Sequence, residues 1–155
     1  MRWGGWCKQK GVTYTRYCDD LTFSADFPLH FVYRKVCEML IRRGFEVNED
    51  KTVFVTNTSA QQVTGLTVNE KVSIPRDYKQ RLRQEVYYAL RFGLGDSLMH
   101  SDKREYMAGG QPDVRRYYNH LNGQMQYVLH VEPHNRWFVD ACAALREQFS
   151  QEIGR

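Results

Sequence analysis

Residues 12–24 read Val-Thr-Tyr-Thr-Arg-Tyr-Cys-Asp-Asp-Leu-Thr-Phe-Ser, two runs rich in β-branched and aromatic residues on either side of an acidic pair. Such runs favour β-strands, so we predict strands over residues 12–17 and 21–24. The intervening Cys18, Asp19 and Asp20 are few enough to form a hairpin turn. Because both strands look buried, the turn between them is expected to project the two carboxylates from one tip.

Two interpretations fit the Asp19-Asp20 pair. Aspartate is a common turn residue, and most such pairs only solvate a loop. Two carboxylates held together also create a negative site suited to Mg²⁺, a hard cation that prefers oxygen ligands. In phosphoryl transfer such ions activate the attacking hydroxyl and stabilise the leaving oxygen.

The rest of the first half predicts one helix and two more strands. Pro28 opens a helix with apolar residues at helical spacing, Arg42 and Arg43 in its last turn, and Gly44 as its stop. Residues 51–56 predict a strand, and residues 61–69 predict another that is broken at Gly65. Residues 1–70 are therefore expected to form an α+β unit of hairpin, helix and strands.

The second half predicts helices throughout. Pro75, Pro112 and Pro133 each begin an amphipathic segment, and residues 93–110 form a glycine- and polar-rich connection. Three helices of this length bury their apolar stripes against one another. We therefore predict an all-helical bundle of about three helices over residues 71–155, which gives the whole chain an α+β fold.

Composition excludes several classes of protein. With 155 residues, 42% hydrophobic and 26% charged, the chain is long and apolar enough for a folded core, which excludes a disordered chain. It has no run of eighteen apolar residues and no apolar core of a signal peptide near Met1, so we expect a cytoplasmic protein with no membrane partner. The four cysteines form no C-x-x-C pair, which argues against a zinc ribbon. The net charge of +4 is too small to establish a nucleic-acid partner, so the placement of the charges matters more.

The segment Tyr17-Cys18-Asp19-Asp20, between its two predicted strands, resembles the Y-x-D-D hairpin of reverse transcriptases. Three further segments follow in the family's order. Residues 44–48 with Lys51-Thr52 are similar to the next polymerase motif, and residues 63–69 resemble the segment before the thumb. Residues 121–128 resemble the L-x-G-x-x-x-Y helix of bacterial thumbs. The hairpin sequence and the Val-Thr-Gly triplet are like those of bacterial retron reverse transcriptases, with group II intron and other bacterial defence enzymes as close relatives.

This resemblance implies RNA-directed DNA synthesis by two-metal nucleotidyl transfer. It assigns residues 1–70 to the C-terminal part of a polymerase palm and residues 71–155 to a helical thumb. Asp19 and Asp20 would be catalytic ligands of Mg²⁺, and Lys51 would act near the departing pyrophosphate, although a lone surface lysine is as often merely solvated. The implied partners are deoxynucleotides, a structured RNA serving as template and primer, the DNA product, and an effector protein.

Several residues are candidates for nucleic-acid contact. By resemblance, Tyr17 lies near the primer terminus; the alternative is a strand aromatic that packs on its neighbours. The segment Val63, Thr64, Gly65 and Leu66 resembles the segment with which the family contacts nucleic acid. In retrons the Val-Thr-Gly triplet is associated with recognition of the cognate RNA.

The first predicted thumb helix carries a basic face. Arg76, Lys79 and Arg83 are spaced i, i+3, i+7, which predicts a ridge that follows phosphates, or else a solvated cationic face. The aromatic residues near the helical stripes are expected to be core and rim rather than base-stacking platforms: Tyr87, Tyr88, Tyr117, Tyr118 and Tyr127.

The sequence departs from the family pattern at its start. Only sixteen residues precede Tyr17, and none is Asp or Glu, so the fingers and the first catalytic Asp have no counterpart here. We therefore expect this chain alone to be inactive and to need the missing N-terminal fingers and palm region. We also expect self-association through an exposed palm edge. The alternative is a non-catalytic nucleic-acid-binding thumb module or a degenerate polymerase remnant.

Overall fold

The computed structural model describes residues 3–154, and it divides the chain into two compact units. We call residues up to Thr64 the hairpin unit and residues from Gly65 onward the helical unit. The boundary predicted from the sequence, after residue 70, lies a few residues further on. The α+β class predicted from the sequence is confirmed.

Up to residue 61, the described part of the hairpin unit contains two helices and one strand pair. Its elements are α1 (Trp3–Lys10), β1 (Thr13–Tyr17), β2 (Asp20–Ser24), α2 (Leu29–Ile41) and a 3₁₀ turn at Glu49–Lys51. A small core joins α1, Val12 just before β1, and α2 through five buried residues: Trp6, Cys7, Val12, Val32 and Val36. The fold of this unit therefore places the hairpin against two helices.

Helix α1 was not predicted from the sequence. Gly4 and Gly5 weaken the helical signal because glycine has low helix propensity. Its end carries signals that do favour a helix: Lys8 and Lys10 lie in the last turn, and Gly11 follows with a left-handed φ of 66°.

The hairpin is tighter than the sequence predicts. The antiparallel register runs from Thr13 opposite Ser24 to Tyr17 opposite Asp20. Only Cys18 and Asp19 remain in the turn, with Cys18 in the left-handed region at φ 50°, and Asp20 begins β2. The expectation that both strands are buried is wrong, because their residues are exposed or half-buried.

The strand predicted over residues 51–56 is also wrong. Lys51 ends the 3₁₀ turn, whose N-cap is Asn48, and residues 52–56 pair with no strand among the residues described. A strand needs a ladder partner. The Phe54 ring instead packs on α2, 5.1 Å from His30 and 5.4 Å from Tyr33 between ring centroids.

The segment predicted as one strand broken at Gly65 is a second tight hairpin. Gln62–Val63 (β3) pairs with Leu66–Thr67 (β4). The connecting Thr64 and Gly65 have φ values of 48° and 81°, as a type I′ turn requires at its two central positions. Gly65 therefore reverses the chain rather than bending a continuous strand.

The helical unit contains four helices. They are α3 (Arg76–Phe92), α4 (Leu94–Met99), α5 (Val114–Val131) and α6 (Arg136–Ile153). A 3₁₀ turn at Arg104–Tyr106 and the strand pair β5 (Met107–Ala108) and β6 (Gln111–Pro112) connect α4 to α5. The three predicted long helices are confirmed, and α4 is a fourth helix in the predicted connection.

Two of the predicted helix starts are shifted. Pro112 lies in β6, and α5 begins after Asp113, whose carboxylate accepts the Arg116 N–H at 3.0 Å. This aspartate caps the helix because it satisfies a backbone donor that has no partner within the helix. Likewise α6 begins after Asn135 rather than at Pro133.

The core of the helical unit follows the predicted apolar stripes. Leu82, Val86 and Ala89 from α3 meet residues from each of the other helices in one buried cluster. The residues of that cluster that are less than 2% exposed are Ile74, Val86, Ala89, Leu94, Leu98, Tyr117, Leu121, Met125, Val128, Phe138 and Leu145. Their complete burial identifies this bundle as the main apolar core of the described chain.

Two glutamates fasten the ends of helices in this unit. Glu132, after α5, accepts the Ile74 N–H at 3.0 Å and the Lys79 ammonium at 2.6 Å. Glu152, near the end of α6, accepts the Leu94 N–H at 2.8 Å at the start of α4. Both carboxylates satisfy donors far away in sequence, so they fix how the helices are arranged.

No described helix combines the length and apolar character needed to cross a bilayer.

Candidate functional site

The tip of the first hairpin brings three of the predicted site residues together. Tyr17 is 68% exposed and lies opposite Asp20 in the ladder, and Asp19 occupies the turn between them. Both carboxylates are exposed. Behind the tip, the rings of Tyr14 and Phe23 stack across the strands with centroids 5.1 Å apart. The hairpin therefore presents the acidic pair to solvent from a paired, laterally stiffened backbone.

The donor set at this tip fits part of a magnesium site. Mg²⁺ is usually held by one or two carboxylates together with water and substrate phosphates. Asp19 and Asp20 supply two oxygen donors of that kind. Within residues 3–154, no group of three His, Cys, Asp or Glu side chains is placed to hold a metal ion. The described chain therefore offers two carboxylates and no protein-only cage.

Lys51 lies on a separate turn of the hairpin unit. Its backbone N–H donates to the Asn48 side chain at 3.2 Å, and the Thr52 hydroxyl donates to the Asn48 carbonyl at 2.9 Å. These bonds define the backbone of the turn, and the Lys51 side chain is exposed. The predicted lysine is thus accessible and sits on an ordered turn.

The predicted segment 63–66 forms the second hairpin. Thr64 and Gly65 are exposed at its turn, and the Thr64 hydroxyl donates to the Val63 carbonyl at 2.8 Å. Leu66 is half-buried against the core of the helical unit. A threonine at φ 48° is unusual, because a β-branched residue is disfavoured in the left-handed region.

The predicted basic face of α3 is divided. Arg76 and Arg83 are exposed, whereas Lys79 is half-buried in an ion pair with Glu132, and these side chains are 19% and 18% exposed. The Arg83 guanidinium lies 5.4 Å from the centre of the Trp137 ring. Lys79 therefore already has an intramolecular partner, and the two arginines supply the accessible charge.

The Lys79–Glu132 pair has an electrostatic signature. Burial alone would raise the pKa of Glu132, but hydrogen bonds from Lys79, from Asn135 and from the Ile74 N–H outweigh it and hold that pKa below its usual value. The negative charge of Glu132 is thus stabilised in the folded state.

The tyrosines of the helical unit fall into two groups. Tyr117 is buried, and Tyr118 stacks on Phe149 with centroids 4.0 Å apart, as expected for core and rim residues. Tyr87 and Tyr88 are 48% and 44% exposed, so they are much more open than core residues. Their positions lie off the apolar stripe of α3, which is the sequence signal for exposure.

A shallow basic groove at the end of α2 was not predicted. Lys35, Met39, Arg42 and Arg43 line a cavity of about 370 Å³. Glu38 accepts from Lys35 at 2.8 Å and from Arg42 at 2.5 Å, so it neutralises part of the charge. The hydrogen bond from Lys35 is also the main reason that the pKa of Glu38 is lowered.

Sequence comparison finds relatives among curated proteins. The chain is 34% identical to the retron Mx65 reverse transcriptase of Myxococcus xanthus over 85% of its own length and 27% of the relative. It is 35% identical to the retron Mx162 reverse transcriptase of the same organism over 52% of its length and 20% of the relative. It is 28% identical to the retron Ec83 reverse transcriptase of Escherichia coli over 82% of its length and 37% of the relative.

Neither a protein-family model nor a solved structure gives a significant match. The curated relatives are much longer than this chain, which spans between about a fifth and two fifths of their length. Within that span, the resemblance to retron-type reverse transcriptases predicted from the Y-x-D-D hairpin and the later segments is confirmed by these relatives.

Proposed function

We propose that this chain supplies the metal-binding hairpin and the nucleic-acid-binding helices of an RNA-directed DNA polymerase. The observation that carries the proposal is the exposed acidic tip at Asp19 and Asp20, on a hairpin whose sequence is of the retron type. In this assignment the hairpin unit is the C-terminal part of the palm and the helical unit is the thumb.

Asp19 and Asp20 would hold Mg²⁺, which when bound would activate the primer hydroxyl and stabilise the charge on the leaving pyrophosphate. The chain's own residues would position the reactants. Tyr17, beside the acidic pair, would contact the primer end, and the exposed Lys51 would face the departing phosphates. A third carboxylate would come from polymerase sequence outside this chain, so the chain alone is expected to be inactive.

Each unit carries residues that would contact nucleic acid. The turn at Thr64 and Gly65 presents exposed backbone, with Val63 and Leu66 half-buried on either side. Arg76 and Arg83 would contact phosphates and make binding dependent on salt. Lys79 would act mainly by fastening the start of α3 through Glu132. The partners would be a structured RNA template and primer, its DNA product, deoxynucleotides and an effector protein.

The chain's apolar surface supports a partner for the hairpin unit. Ile41, Phe45 and Val53 are 66%, 60% and 75% exposed. Exposed apolar surface of this kind is commonly covered by another protein segment. We propose that the fingers and the rest of the palm cover it in the polymerase, and that two copies of the isolated chain associate through it. Light scattering that shows only monomer at high protein concentration would contradict the self-association.

The catalytic assignment is tested by exchange into a relative. The matching stretch of the retron Mx65 reverse transcriptase would be replaced by this chain, and primer extension would be compared for Asp19→Asn, Asp20→Asn and the matched control Asp26→Asn. Asp26 is also exposed and lies in the same unit, outside the motif. We expect either motif change to reduce synthesis by at least about 10³-fold, because a metal ligand is lost, with RNA binding spared.

The second candidate function is nucleic-acid binding without catalysis, which the exposed Arg76 and Arg83 favour. Under that hypothesis, Arg76→Gln with Arg83→Gln abolishes RNA binding, and Asp19→Asn changes no activity of the chimaera. Primer extension at normal rates by the Asp19→Asn enzyme would reject the catalytic assignment.

A further inference from the structure

Helix α3 carries an exposed cluster near its C-terminal end, which we call the aromatic patch: Tyr87, Tyr88, Arg91 and Phe92. The three rings are 48%, 44% and 55% exposed, and Arg91 is also exposed. The helix buries Leu82, Val86 and Ala89 instead. Because α3 already buries a complete apolar stripe, these exposed rings are not needed to pack the helix.

The patch has an internal order. The Arg91 guanidinium carbon lies 5.8 Å from the centre of the Tyr87 ring and 5.6 Å from that of Phe92, and Arg91 donates a hydrogen bond to the Tyr87 hydroxyl at 2.5 Å. Tyr88 and Phe92 stack with centroids 6.1 Å apart and an angle of 27° between their planes. The cation is therefore held among rings that each remain about half exposed.

The chemical groups of the patch indicate what kind of molecule would bind it. An aromatic face binds any flat π-system, and a guanidinium binds a phosphate or stacks on a ring. Unpaired nucleotides offer both groups at a regular spacing, and proteins that bind single strands combine aromatic platforms with basic grooves. The charges of α3 also favour a polyanion as the partner. Lys79, Arg81 and Glu85 are each in an ion pair. Arg76, Arg83 and Arg91 are exposed and give the helix a positive surface.

We propose that the aromatic patch stacks unpaired bases of a single-stranded nucleic acid, with Arg91 contacting the adjoining phosphate. The inference rests on the proposed function for the identity of the partner. It adds a second kind of contact, since the exposed Arg76 and Arg83 offer only charge to a phosphate backbone. The patch would stack on the flat face of any base and would not distinguish one base from another.

The test is a binding titration with the whole 155-residue chain and labelled oligonucleotides of about twelve nucleotides, within the usual footprint of single-strand binders. The probes are an oligouridine RNA, the matching DNA, and an abasic strand of equal length that keeps the phosphates and lacks the bases. We expect the base-containing strands to bind about tenfold more tightly than the abasic strand, the usual effect of one stacked base.

The variants separate stacking from charge. Tyr88→Ala is expected to weaken binding of base-containing strands about tenfold, and Tyr88→Phe, which keeps the ring, should restore it to within about twofold. Arg91→Gln should lower the slope of log affinity against log salt by about 0.7, the value for one phosphate contact on a single strand. The matched control is Tyr127→Ala, because Tyr127 is a tyrosine with 43% exposure on α5. Circular dichroism confirms that each variant is folded.

Three results would overturn the inference. The first is equal affinity for abasic and base-containing strands, and the second is a Tyr88→Ala effect no larger than that of Tyr127→Ala. The third is a dimer in sedimentation that Tyr88→Ala dissociates, which would make the patch a surface for self-association. The proposed function fails separately: if Asp19→Asn leaves synthesis intact while base-dependent binding persists, the catalytic assignment is lost and the patch stands.

Discussion

The hairpin unit and the helical unit of this chain treat their apolar side chains in opposite ways. Leu121, Met125 and Phe138 of the helical unit are completely buried. In the hairpin unit, Phe45 and Val53 are mostly exposed, and the sheet of β1 and β2 has two strands among the described residues. Two-stranded hairpins are marginal in water without further packing. The hairpin unit, which carries the acidic pair, therefore leaves more of its apolar side chains exposed, and the helical unit contains most of the buried apolar core.

The polar contacts show the same difference. In the helical unit, the Lys79–Glu132 pair is less than one-fifth exposed and also binds the Ile74 N–H. In the hairpin unit, the Arg42 side chain that pairs with Glu38 is 72% exposed. Ion pairs that open to solvent contribute little to stability, because water and salt screen them. Long-range fastening is thus concentrated in the helical unit.

The largest effect is expected from the core of the helical unit. Leu121→Ala should lower the free energy of unfolding by about 2–5 kcal/mol, because Leu121 is fully buried and its loss leaves a cavity. The control Val53→Ala, at a position 75% exposed, should change it by less than about 0.5 kcal/mol. Denaturant titration followed by helical circular dichroism measures both changes. A smaller effect of Leu121→Ala than of Val53→Ala would contradict the conclusion that the main apolar core lies in the helical unit.

The next effect concerns local opening in the intact chain. Amide hydrogens in α3, α5 and α6 should exchange at least about a hundredfold more slowly than those of β1 and β2, because local opening needs less free energy where few apolar contacts are broken. Hydrogen exchange followed by mass spectrometry of peptides gives this ratio. Equal protection in both units would show that the chain unfolds as one cooperative block.

A smaller effect is expected from Glu132→Gln. This change removes the carboxylate charge that pairs with the Lys79 ammonium. It should lower the free energy of unfolding by about 1–3 kcal/mol, the range for a partly buried charge-assisted hydrogen bond. The control Asp77→Asn breaks the exposed pair with Arg81, whose side chains are 73% and 76% exposed, and should cost at most about 0.5 kcal/mol.

The Glu132 contribution should also depend on pH. Its pKa is lowered in the folded chain, so the unfolded chain takes up the proton first as the solution is acidified. The stabilisation is therefore fully present above the ordinary pKa of glutamate and disappears as pH falls through the lowered value. Thermal unfolding should show the difference between wild type and Glu132→Gln shrinking in acid, and a difference that grew there would contradict the assignment.

The smallest expected effect is at the second hairpin. Thr64→Asn should stabilise the chain by about 0.5–1 kcal/mol, because asparagine tolerates the left-handed conformation that Thr64 adopts at φ 48°. Thr67→Asn, in β4, is the control and should be neutral or destabilising. A shift in melting temperature measures both. If Thr64→Asn is the more destabilising of the two, the threonine side chain has a role in this turn that its conformation does not explain.

The helical unit was largely predictable from the sequence because each long helix repeats an apolar residue every three or four positions. Those stripes located Leu82, Leu121 and Leu145 in the core. The helix starts were less predictable, because Asp113, and not Pro112, caps α5. The predicted hairpin around Asp19 was confirmed, although its turn is one residue shorter.

The predictions that failed depend on contacts that no local pattern records. Residues 52–56 have strand-like composition, yet a strand also needs a neighbour, and Phe54 packs on α2 instead. The ion pair that engages Lys79 joins residues that are far apart in sequence, so helical spacing alone placed the lysine on a free face.

The exposed Cys18 makes the acidic tip accessible to chemical labelling. Cys7 is buried, and Cys37 and Cys142 are half-buried, so a thiol reagent should modify Cys18 first in the native chain. A nitroxide attached there sits one residue from Asp19. Paramagnetic Mn²⁺ held by the carboxylates would broaden its resonance, and displacement by Mg²⁺ would sharpen it again. The turn thereby contains its own attachment point for a spectroscopic reporter of cation binding, independent of any synthesis of DNA.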